Sequence, residues 1–169
     1  MTRPPLLGPL MDALADQIRD ALEDVVEAIQ VEPRMVIAPT PPCIDIYPAD
    51  PFQAPLAFGI GQNEINLTVR ARVNTPDDVA AQDLLLSFMD PFSDTSLLRA
   101  VMLDDTLDGA AETLTVEEGP SNFGLFPDAS GTASFLGCTW TVKIYAVEPT
   151  VIGLVGYGAG GYGSEPYGG

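Results

Sequence analysis

The chain has 169 residues and a formal net charge of −17, from 24 acids against seven lysines and arginines, with no histidine. Without histidine there is no Ser-His-Asp triad, no imidazole general base and no His-ligated metal. So acidic a surface repels nucleic acid and anionic membrane, while a hydrophobic content of 46% supplies the apolar surface for one packed domain.

Cys43 and Cys138 are too few for a disulfide framework or a zinc site, and both lie in apolar strand-like runs that predict buried thiols. No apolar run approaches the ~20 residues of a membrane-spanning helix. The opening M-T-R-P-P-L-L-G-P-L is too short in its apolar part for a secretory signal. The chain reads as cytosolic, with no membrane partner.

Leu10, Leu14, Ile18, Leu22, Val25 and Ile29 recur at helical spacing and predict a first helix over Leu10–Gln30. Its opposite side carries Asp12, Asp16, Asp20, Glu23 and Glu27, a face for water or for a cavity. Met35–Ile37 and Cys43–Tyr47 are short strand candidates separated by A-P-T-P-P, so dense in proline that only an edge or a loop fits. Pro48–Asn63 reads as a long arm whose Phe52, Leu56, Phe58 and Ile60 want a partner surface.

Glu64–Val73 alternates strictly. Ile65, Leu67, Val69, Ala71 and Val73 make a dry face; Glu64, Asn66, Thr68, Arg70 and Arg72 make a wet one. N-T-P-D-D then opens a second helix running to Asp90, with Thr75 placed to cap and Pro76 at its first position. Asp94 or Ser96 caps a shorter helix, Leu97–Leu103. Glu112–Glu118 is a strand. Gly119–Gly131 is a link carrying two exposed-looking rings, Phe123 and Phe126, and Ala133–Ala146 is the longest strand. The last two strands lack room for a crossover helix and should pair antiparallel. The expectation is an α+β fold: a mostly antiparallel sheet packed on an N-terminal helix and two further helices, with extended arms. It comprises one domain over residues 1–148. Residues 149–169 form a Gly/Tyr-rich tail with Tyr157, Tyr162 and Tyr167 as anchors.

Chemistry is hard to find. Gly156, Gly158 and Gly161 match G-x-G-x-x-G, but no helix and no βαβ unit can follow in the residues that remain. Asp104–Gly109 lacks the calcium loop's bidentate glutamate, since Thr115 stands at that position. Asn66-Leu67-Thr68 fits a glycosylation sequon but sits inside a strand. No carboxylate pair stands out as a glycosidase dyad. The reading is not an enzyme, with no cofactor and no metal. Arg70 and Arg72 have two possible uses. They pair with carboxylates on their own sheet face, or they reach acids on a neighbouring subunit.

The order helix, edge strand, arm, strand R-A-R-V-N-T-P-D-D-V-A-A-Q-D-L-L-L-S-F-M-D, short S-L-L-R-A-V helix, and strands ending T-W-T-V-K-I-Y-A resembles the tail terminator (tail-completion) proteins of long-tailed bacteriophages, particularly those of actinobacterial hosts. The resemblance spans roughly Leu10 to Ala146; the glycine–tyrosine tail lies outside it. It implies a homo-oligomeric ring, usually a hexamer, at the head–tail junction of the virion, assembled in the host cytoplasm. Its partners would be the tail tube protein and a head–tail connector or stopper. DNA would pass through without specific binding, along a bore lined by the acids of the first helix. Another neck ring, a connector or stopper, is the nearest alternative, and a monomeric acidic binding module is a different one.

Overall fold

The structure, a computed structural model, describes residues 6–55 and 62–147. Three helices and five strands follow in chain order: α1 (Leu7–Leu22), β1 (Gln30–Glu32), β2 (Cys43–Pro55), β3 (Gln62–Val73), α2 (Val79–Met89), α3 (Leu97–Val101), β4 (Thr113–Pro127) and β5 (Ser134–Val147). The strands form one sheet in the order β1-β2-β3-β5-β4. Only β1 and β2 run parallel; the other pairs are antiparallel, including β4 with β5. This is the expected α+β architecture.

The alternation of β3 makes it central. Ile65, Leu67, Val69, Ala71 and Val73 are all buried beside Ile44 and Ile46 of β2 and Trp140, Val142 and Ile144 of β5. Leu10, Leu14 and Ile18 of α1, Leu85 and Phe88 of α2, and Leu97 and Val101 of α3 complete this core. All three helices therefore cover one face of the sheet, and the other face is left for polar side chains.

Several elements differ from expectation. α1 stops at Leu22, with Glu23 as its C-cap, so Val26 rather than Val25 is buried. Of the expected helix beyond Leu22, residues 23–29 form turns and only Gln30 joins β1, and Met35–Ile37 is a loop. β2 runs on to Pro55, through what reads as an arm, and Phe52 packs against the core. Leu56, Phe58 and Ile60 lie outside the described residues. The cap of α2 is Asp78, whose side chain accepts from the backbone of Ala80 and Ala81, rather than Thr75. Ser96 caps α3. Most of the link after Gly119 belongs to β4, which reaches Pro127 by way of three register shifts.

Those shifts have a cost-saving consequence at the sheet's margins. β4 carries Pro120 and Pro127 as well as its bulges, and β2 beyond its pairing with β1 carries Pro48, Pro51 and Pro55. Proline donates no ladder bond and bulges break the repeat, so both open edges resist adding a further strand.

Candidate functional site

The helix-free face of the sheet divides into two halves. At one end Asp45, 0% exposed, is the centre of an ionic cluster. Register places Asp45 opposite Arg70, with Arg72 one pleat further along β3. Arg70 donates to Asp45 through Nε (2.9 Å) and Nη2 (2.5 Å), and Arg72 donates through Nη2 (3.2 Å). The backbone N–H of Val36 gives Asp45 a further bond at 2.9 Å, and the Val36 carbonyl accepts from Arg72 at 2.8 Å. The cluster thus staples the loop between β1 and β2 across the sheet.

Arg70 lies 5.0 Å from the Tyr47 ring centroid and 5.7 Å from that of Phe126, a pair of cation–π contacts. Burial pulls the Arg70 guanidinium's pKa down, but the bonds to Asp45 raise it overall, so it stays charged. The Arg72 side chain is 2% exposed and its Nε meets no acceptor. These two arginines are therefore spent inside the chain. Arg72 has no surface from which to reach another copy, and Arg70, 13% exposed, has little. The missed residue is Asp45. Its signal is an acid in the apolar run C-I-D-I-Y, on the strand face that two arginines also occupy.

The other half is an open trough of about 500 Å³. β3 and β5 pair across its floor without a shift, bringing Asn66 opposite Lys143 and Thr68 opposite Thr141. Its walls are the stretches where the outer strands slip register: Tyr47 to Pro51 on β2, and Glu117 to Asn122 on β4. Lys143 is held between Glu117 (2.8 Å) and Glu64 (3.0 Å), and those bonds raise its pKa. Asn66, 7% exposed, donates through Nδ2 to the Pro51 carbonyl at 3.2 Å, but its Oδ1 meets no donor. A buried acceptor left without a donor costs about 1–3 kcal/mol.

The remaining expected site residues are dispersed. Asp12, Asp16, Asp20, Glu23 and Glu27 are all exposed on or just after α1, on the far side of the molecule from the trough. Asp12 pairs with Arg34 at 3.1 Å and Asp16 with Arg19 at 2.6 Å. Phe123 is exposed on β4, whereas Phe126 is half-buried, its ring over Gly137 and against Arg70. Tyr157, Tyr162 and Tyr167 lie outside the described residues. Asp104 caps its own turn, accepting from Thr106 and Asp108. No group of three or more carboxylates and thiols is placed to hold a metal among the described residues, and no helix there is long and apolar enough to cross a membrane.

Both thiols are buried, as their apolar settings imply, but on opposite faces of the sheet. Burial, with the Asp45 charge adding to it, pushes Cys43 up to about 11, and burial alone pushes Cys138 up to about 12. Native protein is therefore expected to resist Ellman's reagent near pH 8 and to release both thiols only on denaturation. An unfolded thiol ionises near pH 9 while the folded one keeps its proton. Stability should consequently fall as pH rises from 9 through the folded values of 11 and 12, measurable as a declining urea midpoint.

The fold and this face define the chain as an α+β protein whose sheet, among the described residues, leaves one polar face open. No known family model matches the chain, and no curated protein matches it.

Proposed function

We propose that this chain is a structural protein of a long-tailed phage, a tail terminator whose copies close into a ring on the finished tail tube. The observation that carries this reading is the layout of charge. All six described cations are matched within the chain: Arg19, Arg34, Arg70, Arg72, Arg99 and Lys143 each face a carboxylate at 2.5–3.8 Å. Asp20, Glu23 and Glu27, on and after α1, are exposed without a cationic partner among the described residues. A six-copy ring with these acids towards its bore would carry roughly −100 in formal charge, and DNA would slide past without adhering.

Neighbours would pack through faces, because the open strand edges are blocked. Exposed Val79, Leu86 and Phe92 on and after α2, and Leu103 after α3, supply apolar side chains for such contacts. With cations committed internally, salt should not dissolve the ring. Screening of like charge should instead promote it, so light scattering should give a larger mass at ~0.3 M than at ~0.02 M salt. The tube below and the head connector above remain the partners of this reading. Electron micrographs of tails assembled without the protein should show tubes of uncontrolled length; tails of normal length would overturn it.

A further inference from the structure

We propose that the trough on the open sheet face is the seat of the uncharged stretch of the chain's own C-terminal segment, residues 149–164. This inference stands apart from the ring reading and would hold for a monomer. The chemistry of the trough restricts what can enter. Asp50, Glu64, Glu117 and Glu118 outnumber Lys143, so an anion is repelled. Among the described residues, Thr68 and Thr141, facing each other across β3 and β5, are engaged in no side-chain hydrogen bond, and Asn66 Oδ1 lacks a donor. The occupant has to be uncharged and rich in donors.

That stretch meets both conditions, with Glu148 and Glu165 falling outside it at either end. Residues 149–164, P-T-V-I-G-L-V-G-Y-G-A-G-G-Y-G-S, contain no acid and no base. Every residue but the proline brings a backbone N–H, and Tyr157 and Tyr162 add hydroxyl donors for the rim carboxylates. Glycine has no Cβ, so its backbone can approach a floor of threonines closely.

The path is short. β5 ends at Val147, four residues past Lys143 on the trough floor, a separation of roughly 13 Å. Residues 148–169 can span roughly 70 Å when extended, ample to turn back and cross the floor. A tether this short keeps the segment near its seat at millimolar effective concentration, which favours the same copy over a second one.

Disulfide trapping in the full-length chain tests this, because native Cys43 and Cys138 are buried and stay silent. The pair Thr141→Cys with Tyr157→Cys should oxidise within one copy, at a rate independent of protein concentration. Asp83→Cys, exposed on α2 behind the sheet, is the control partner for Tyr157→Cys and should react at least about tenfold more slowly. Ser121→Cys on the wall replaces Thr141→Cys if that variant misfolds. Equal rates for trough and control pairs would overturn the proposal, and so would crosslinks found only between copies. As an independent readout, alkylation of the trough cysteine should speed up several-fold when Tyr157 and Tyr162 are both changed to serine; an unchanged rate would overturn it too.

Discussion

Replacing Asp45 with alanine should destabilise the fold by about 3–5 kcal/mol, the loss expected when one partner of a buried ion pair is removed. Asp45 is fully buried and accepts from Arg70, Arg72 and the Val36 backbone. Without it the Arg72 guanidinium is sealed in with only the Val36 carbonyl and the Cys43 sulfur beside it, and an Nε that already lacks a partner. Arg70 fares better, since Tyr47 and Phe126 still flank it and it keeps some exposure. The loss should appear as a lower urea midpoint with an unchanged slope. Adding Arg72→Met to Asp45→Ala should restore part of it, because the stranded charge has gone and a flexible apolar chain fills the space. That non-additivity distinguishes an ionic staple from simple cavity formation. Arg70→Glu and Arg72→Glu would each set a second carboxylate against buried Asp45, so unfolding should precede any effect on assembly. A midpoint shift under about 0.5 kcal/mol for Asp45→Ala would show that the cluster holds nothing together.

How legible this was depends on whether a residue's role is local. β3 could be read because strict alternation is a property of consecutive residues, and the helix faces of α2 could be read for the same reason. Ala81, Leu85 and Phe88, four and three residues apart, are its buried side. The open face could not be read in this way. Arg70 and Arg72 look solvent-facing because they sit on the polar side of an amphipathic strand. What buries them is Asp45 on β2 and the loop residue Val36, brought close by register alone. Bulges hid the rest. β4 reads as strand only to Glu118, where its first register shift breaks the alternation, yet pairing with β5 resumes as far as Pro127. The trough follows from those shifts on both flanks of an unbroken floor, a geometry that no single segment encodes. The end of α1 was misread because Val25 and Ile29 keep the helical spacing past the point where hydrogen bonding stops; Ala28, at φ 54°, marks the change of direction.

Gly137 gives the second large effect. A Cβ there would lie 2.5 Å from the Ala71 carbonyl oxygen and 2.9 Å from Cδ2 of the Phe126 ring. The ring could rotate away, but the carbonyl belongs to the central strand, buried and paired on both sides. Gly137→Ala should therefore cost about 1–3 kcal/mol, the range for overfilling a packed interior, and should separate β3 from β5 at their Arg72 end. Gly109, at positive φ (84°), has nothing within 4 Å of its would-be Cβ, so alanine there should cost only the conformational preference, roughly 1 kcal/mol. The two thermal midpoints, compared directly, separate crowding from backbone preference. Phe126→Ala supplies the decisive third arm. If the ring were the obstacle, it would rescue Gly137→Ala; with the backbone carbonyl as the obstacle, the double variant stays as unstable as the single. Rescue would mean that the close approach of β3 and β5 under the ionic cluster is looser than the packing implies, and the wall of aromatic side chains around Arg70 would then be what holds that end of the sheet.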